Sequence, residues 1–435
     1  MTRPDAHRLQ SGTVLRIVEL NVVPFSVRSF TMHYRPLGRT GMKVSPYALG
    51  TMMFGAHGNT DHEDSVRIIH QALDAGINFV DTADFYAGGE TEEIVGKALK
   101  GRRDGVVLAT KAHLPMGEDP NMRGNSRRWL TRALEDSLRR LGTDHVDLLQ
   151  IHRPDPDTDI EETLSALTDL VRAGKVRAIG TSSFPASYLV EAQWVAERRG
   201  LQRFRTEQPN YSILDRGIES EILPVVEKYG MGALVFSPLA GGQLTGRYRK
   251  GRASDGRREG MFSYLGDERR LDAVEQLLAL AEKSGISLTH MAMAFVLAHP
   301  GVTSAIIGPR TKAHLDDLLA GADIALSDDV LDAIDAIVPP GTDIGRMDMV
   351  FQPPALTDPG LRRRPAAQRA AGGRTSGLRG RTGGGADGLR GGLTGRGGPH
   401  PYHLLGGRTP AGKGPPAKPH KTGGFKPRNP LPRTP

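Results

Sequence analysis

The chain has 435 residues, 38% of them hydrophobic and 24% charged, and contains no cysteine. That length supports one large core with segments to spare, while the missing thiols exclude disulfides, Cys nucleophiles and Cys-ligated metals and fit a cytoplasmic protein. The net charge of +8 would suggest nucleic acid, but from residue 361 onward sixteen Lys and Arg face a single acid, Asp387, so the tail holds more than the whole surplus and the body before it is acidic.

Residues 1–31 show no sustained hydrophobic period and precede a second methionine, Met32; they read as a disordered or non-native extension. Their apolar stretch 14–25 is interrupted by Arg16, Glu19 and Asn21 and lacks a small-residue cleavage site, so it reads as neither signal nor anchor. Nowhere does an apolar run approach the roughly 20 residues of a membrane-spanning helix. Residues 34–54 set turn residues Gly38, Arg39, Thr40 and Gly41 between short β-like runs, predicting a hairpin and then a first core strand at 47–50.

A repeating beat of strand and helix follows. The spacing predicts a helix over 61–75 closed by Gly76, a strand over 77–80 ending on Asp81, and a helix over 90–99. A strand over 105–109 runs to Lys111, a helix spans 126–141, and a strand over 146–151 ends on His152. Then come a helix at 160–173, a strand at 176–180, a helix at 185–199 with Pro185 near its first position, and a brief strand at 206–208. A helix over 218–229, a strand over 233–236 and a Gly- and Arg-rich polar loop over 247–258 lead to helices at 271–284 and 288–298, a strand at 304–307, and helices at 311–320 and 328–338.

Eight such units in about 290 residues predict an α/β fold: a (β/α)8 TIM barrel with an N-terminal β-hairpin and additional C-terminal helices. A doubly wound sheet would need GxGxxG straight after a strand, and the body, assigned to 32–350, has none. From 351 to 435 the chain turns basic and rich in Gly, Arg and Pro, and disorder is predicted from about residue 360. An inert tail or a reading-frame artefact of a short natural C-terminus is the main reading of this segment; RNA contact through its RG and GRGG pieces is the lesser one.

Four strand ends carry the chemistry. DTADFY (81–86), ATK (109–111), QIH (150–152) and GTSSF (180–184) each follow an apolar run and put a polar or ionisable side chain where it stops. Strands of a parallel barrel all point one way, so these groups gather at one mouth, where such folds do catalysis. HRPDPD (152–157) also offers His152, Asp155 and Asp157 as metal ligands, but near the strand ends only His113 and His152 are histidines, so no metal is expected. Asp84 reads as a loop or cap residue.

The segments YRPLGRTGMKVSPYALGTMMFG, DTADFY, LLQIHRPD, GKVRAIGTSSF, QPNYS, FSPLAGGQLTGRY and IIGPRTKAHL, in this order between residues 34 and 338, resemble the aldo-keto reductases, and most of all the bacterial oxidoreductases related to potassium-channel β subunits. The resemblance implies NADPH-dependent reduction of a small-molecule aldehyde or ketone, with a tetrad of Asp81, Tyr86, Lys111 and His152. For the cofactor it implies Gly50 and Thr51 at the first strand end, nicotinamide amide contacts from Ser182, Ser183 and Gln208, and ring stacking by Phe236. Phosphate- and adenine-side contacts would come from Ser237, Pro238, Leu239 and Gly241 and from Gly308, Arg310, Lys312 and His314. Three departures stand out: Ser183 replaces the usual Asn, Phe236 replaces a frequent Tyr, and His314 and Leu318 replace Gln and Asn. The first and third predict weaker cofactor binding; the second keeps an aromatic face. The channel-subunit branch motivates an alternative, a nicotinamide-binding sensor with little turnover.

The chemistry explains why these residue types are needed. Hydride addition to a carbonyl develops negative charge on oxygen, and free Tyr, with a pKa near 10, is a poor acid at neutral pH. The Lys111 ammonium is expected to lower the pKa of Tyr86, with Asp81 keeping Lys111 charged and neutral His152 donating to the same oxygen. Arg310 is expected to fork onto the 2′-phosphate, favouring NADP over NAD, with Lys312 assisting. Loops 85–89, 113–125 and 247–264 are expected to shape the substrate pocket, the last as a lid. The sequence carries no signal of oligomeric state.

Overall fold

The computed structural model describes residues 32–251, 263–345, 351–365 and 368–369. The expected N-terminal extension, most of the polar loop after Arg247 and nearly all of the predicted disordered tail lie outside these residues.

A two-stranded antiparallel hairpin, β1 (Arg35–Pro36) and β2 (Lys43–Val44), opens the fold. Eight parallel strands follow: β3 (Tyr47–Gly50), β4 (Phe79–Asp81), β5 (Val107–Ala112), β6 (Val146–Ile151), β7 (Val176–Ser182), β8 (Thr206–Gln208), β9 (Gly232–Val235) and β10 (Val302–Ile307). They pair in chain order, and β10 pairs back onto β3 to close the barrel. This is the (β/α)8 barrel with a leading hairpin that the strand and helix beat predicted.

The helices are α1 (His62–Asp74), α2 (Glu90–Leu99), α3 (Arg127–Leu141), α4 (Ile160–Arg172), α5 (Ala186–Arg199), α6 (Ile222–Tyr229), α7 (Glu268–Lys283), α8 (Leu288–Ala298), α9 (Lys312–Ala320) and α10 (Asp328–Ile337). Starts are set by side chains that accept orphan backbone N–H groups, as Asp61, Ser126 and Asp159 do at α1, α3 and α4. α3 shows the packing rule: Leu130, Leu134, Leu138 and Leu141 share one buried stripe, while Arg128 and Arg132 on the other side keep it soluble.

Four local expectations shift. Pro185 is the N-cap of α5 and not its first residue. The helix expected over 218–229 is a 3-10 turn, Gly217–Glu219, followed by α6, because Pro224 lacks an N–H and is tolerated only in a first turn. β5 and β7 run on to Ala112 and Ser182, since the ladder continues through polar pairs such as Lys111 with Gln150 and Ser182 with Gln208. Beyond the body, two helical turns, Pro354–Thr357 and Pro359–Arg362, begin on prolines.

Inside the barrel, Ala48, Phe79, Ala109, Leu148, Ala178, Leu234 and Ile306, one from each of seven strands, form a buried layer with Leu37 and Val44 of the hairpin. Gly38 packs against the backbone at Arg205 and Gly232, where β8 and β9 begin, so the hairpin closes the N-terminal end. Side chains alternate along a strand, so the residue two places on from each of these also faces inward. That next layer includes Gly50, Asp81, Lys111, Gln150, Gly180, Phe236 and Gly308, joined by Gln208 from β8. A polar layer thus sits above an apolar plug.

Candidate active site

Lys111 is the centre of that polar layer. Its Nζ donates to Asp81 Oδ1 at 2.5 Å, to the Thr82 carbonyl at 2.9 Å and to Tyr86 Oη at 3.1 Å, matching the three hydrogens of an ammonium. The other Asp81 oxygen accepts from Gln208 Nε2 at 2.9 Å and Gln150 Nε2 at 3.2 Å. Tyr86 opens the turn after β4, where Ala87, Gly88 and Gly89 all have positive φ and swing the chain into α2. The His152 ring, just past β6, meets the Tyr86 ring edge-on with centroids 5.9 Å apart. The four residues of the expected tetrad thus come together from three strand ends.

The electrostatics differ from expectation at Tyr86. Burial opposes the Lys111 ammonium, yet Asp81 and Tyr86 together outweigh it and hold its pKa above the ordinary lysine value. For Tyr86, part of whose side chain is open, burial raises the phenol pKa and Asp81 adds to the rise, while Lys111 pulls it down without prevailing. The expected net lowering is therefore reversed, and the phenol stays protonated at neutral pH. His152 is held well below the usual histidine value, first by burial and then by Arg153, Lys111 and His113, so its ring is neutral. Its Nδ1 is buried without a partner, and a buried lone pair is the cheaper vacancy, which assigns the proton to Nε2.

The residues expected to hold a cofactor ring the same mouth. Ser182 and Gln208 end the paired strands β7 and β8, with Ser182 Oγ donating to the Gln208 carbonyl at 3.0 Å. Ser183 sits at φ +59°, a conformation L-residues avoid, and its Oγ is buried without a partner. Gly50 leaves no room for a side chain, because a Cβ there would lie 2.6 Å from Ile306. Thr51 Oγ1 donates to the Asp81 carbonyl at 3.0 Å. Half-buried Phe236 follows β9, and Ser237 (φ +55°), Pro238, Leu239 and Gly241 (φ +68°) form a tight turn beyond it.

After β10 the outcome is mixed. Gly308 is exposed and Arg310 half-buried, and the Arg310 guanidinium makes no hydrogen bond or ion pair among the described residues. Lys312 is exposed and pairs with Asp316 one turn along α9 at 3.2 Å. The backbone N–H of His314 donates to Thr311 Oγ1 at the α9 cap, and Leu318 belongs to the apolar core.

Several groups escaped sequence reasoning. Gln150 is one of them, although it lies two residues before His152 on the same strand face. Arg153 Nη1 donates to the His152 carbonyl at 2.5 Å and reaches Ser182 Oγ at 3.4 Å. Glu207, facing outward between Thr206 and Gln208, accepts from the Phe184 N–H at 3.1 Å and from Thr181 Oγ1, and burial pushes its pKa up to about 7. Asp84, expected as a loop or cap residue, is fully buried with neither carboxylate oxygen partnered; burial and then Glu92 raise its pKa well above the usual carboxylate value. In HRPDPD, Asp155 clasps the loop instead, accepting from Thr158 Oγ1 at 2.6 Å, the Asn125 N–H at 2.9 Å and the Asp157 N–H at 3.1 Å. Among the described residues no group of three or more His, Asp or Glu lies close enough to hold a metal ion, and no helix is long and apolar enough to cross a membrane.

Comparison with known proteins matches this architecture. The model of the aldo/keto reductase family covers residues 47–339. The chain is 43% identical over 320 residues to a Bacillus subtilis protein described as "Uncharacterized oxidoreductase YrpG", covering 71% of this chain and 96% of that one. It is 36% identical over 320 residues to a rice protein described as "Probable voltage-gated potassium channel subunit beta", covering 71% and 97%. It is 36% identical over 296 residues to "Aldo-keto reductase YhdN" of Bacillus subtilis, covering 66% and 88%. With the family's model spanning every strand of the barrel, this chain belongs to the aldo/keto reductase family.

Proposed function

We propose that this protein is an NADPH-dependent reductase that converts an aldehyde or ketone to the alcohol, with Tyr86 as the general acid. The observation that carries the reading is the 3.1 Å bond from the buried Lys111 ammonium to Tyr86 Oη, with Asp81 clamped on the same nitrogen. When bound, NADPH supplies hydride to the carbonyl carbon. Tyr86 Oη–H delivers a proton to the carbonyl oxygen as charge grows there; an alkoxide is a far stronger base than phenolate, so the transfer runs downhill even from a phenol with a raised pKa. Lys111 stabilises the phenolate left behind, and Asp81 keeps the ammonium charged and in place. His152 Nε2–H supplies a second donor to the same oxygen.

The residues present fit the cofactor. The unmatched Ser183 hydroxyl, Ser182 and the Gln208 amide suit a carboxamide, and Phe236 offers an aromatic face. Arg310, half-buried without a carboxylate partner, suits a phosphate dianion, which favours NADPH over NADH.

The test is loss of NADPH absorbance across a panel of aldehydes and ketones, run on the full chain and on Tyr86→Phe. We expect turnover in the wild type and a fall of about 10²–10⁴-fold in the variant with NADPH affinity retained. Equal turnover in both removes Tyr86 as the acid, and none across the panel removes the reductase. A second reading, a nicotinamide-binding regulatory subunit, is favoured by the name of the rice relative. It predicts tight NADPH binding, negligible turnover and a stable protein partner.

A further inference from the structure

Two histidines stand side by side at the barrel mouth, and their hydrogen bonds give them opposite roles. Ala112 of β5 pairs in register with Ile151 of β6, and the His152 N–H donates to the Ala112 carbonyl at 3.0 Å. One residue further on, His113 is therefore set beside His152. Lys111 and Gln150, two residues before them, both face the barrel interior; His152 stays on that face against the Tyr86 ring, and His113, where the chain leaves β5 at φ +157°, lies near enough to help depress the His152 pKa.

The His113 tautomer follows from a chain of two hydrogen bonds. Asn125 Nδ2 donates to the Arg153 carbonyl at 3.1 Å, an oxygen that can only accept. This fixes the amide with Oδ1 towards His113, and Oδ1 lies 2.8 Å from His113 Nδ1. An amide oxygen can only accept, so the Nδ1 proton is on His113. Burial holds the His113 pKa below the usual value, helped by Arg153 and Arg123 and outweighing the opposing pull of the Asn125 bond and Asp155, so the ring is neutral. Nε2 of half-buried His113 then carries a lone pair and has no partner among the described residues. His152 is the reverse: its Nε2 carries the proton because Nδ1 is buried and unpartnered.

We infer that this site selects carbonyl substrates bearing a hydroxyl on the first or second carbon from the carbonyl, with the hydroxyl donating to His113 Nε2 while His152 Nε2–H donates to the carbonyl oxygen. The inference rests on the reductase reading above. Adjacent parallel strands lie about 4.8 Å apart, a spacing that a carbonyl oxygen and a nearby hydroxyl can span. A plain aldehyde leaves the His113 lone pair unmatched once the substrate has displaced water, and a neutral hydrogen bond of this kind is worth about tenfold in kcat/KM at most.

The experiment uses isosteric pairs that differ only in a hydroxyl for a methyl: hydroxyacetone against butanone, and lactaldehyde against 2-methylpropanal. The readout is the ratio of kcat/KM within each pair for wild type, His113→Leu and His113→Gln. We expect the wild-type ratio to favour the hydroxy compound, to fall about tenfold in His113→Leu, and to recover in His113→Gln, whose Oε1 can accept the same bond. A ratio that survives His113→Leu reflects only the electrophilicity of the hydroxy carbonyl and overturns the inference. Turnover of both partners at equal kcat/KM overturns the inference and leaves the reductase standing, as does turnover of neither by an enzyme that reduces other carbonyls of the panel; no turnover across the whole panel overturns both. Nitrogen NMR of labelled imidazoles in the wild type gives a check independent of any variant's folding. Nε2 unprotonated in His113 and protonated in His152 is expected, and the same tautomer in both rings overturns the inference.

Discussion

Gln208 Nε2 lies 2.9 Å from Asp81 Oδ2, joining residues 127 apart in the chain across the mouth of the barrel. The bond ties the residue expected at the nicotinamide amide to the carboxylate that holds Lys111. Gln208→Leu leaves Asp81 Oδ2 with only the longer bond from Gln150. We expect a loss of about 1–3 kcal/mol in urea unfolding, together with a weaker NADPH affinity and a lower kcat. A variant that loses affinity but keeps kcat and stability would show that the two sites are not coupled through this bond.

Lys111 and Asp81 form a buried pair, with side chains 0% and 3% exposed. Removing one partner strands the other, so Lys111→Met is expected to cost about 3–5 kcal/mol of stability. Adding Asp81→Asn should recover much of that stability and none of the turnover. Denaturation curves and NADPH oxidation on both variants separate the structural role of the pair from its catalytic one.

Glu207 makes stability depend on pH. Burial raises its folded pKa to about 7 from an ordinary value of 4.5. Its contribution is therefore fully present below about pH 4.5 and is lost as pH rises through about 7, a swing of about 3 kcal/mol. Glu207→Gln keeps an acceptor for the Phe184 N–H and cannot ionise. Urea unfolding at pH 5 and pH 8 should show a larger loss in wild type than in the variant, and equal losses would refute the assignment. Because Glu207 braces the loop of strained Ser183, NADPH affinity should follow the same pH course.

Arg310 is expected to discriminate between the two nicotinamide cofactors. Arg310→Met should raise the KM for NADPH about 10–100-fold through the lost charge-assisted bonds and leave the KM for NADH nearly unchanged. Parallel changes for both cofactors would move the phosphate site elsewhere. Lys312, paired with Asp316, should matter much less.

Asp81, Lys111 and His152 were legible because each is an ionisable residue at the end of an apolar run, and a parallel barrel brings all such ends to one place. Gln150 was not, because an amide on a strand looks ordinary until it is seen to donate to Asp81. Glu207 was hidden by alternation: it faces away from the mouth between two inward residues, and it acts through the backbone N–H of Phe184.

By itself the sequence determined the order of strands and helices, the closed barrel and the strand ends on which the ionisable groups sit, because periodicity and turn residues are local properties that the chain writes directly. Tertiary structure alone decided the protonation states. Whether Lys111 lowers the Tyr86 pKa or burial raises it depends on the balance between a charge at 3.1 Å and the water excluded around both groups. Which nitrogen of His113 carries its proton depends on the carbonyl that Asn125 faces, 28 residues away. Desolvation and hydrogen-bond partnership are sums over neighbours that only the folded chain assembles.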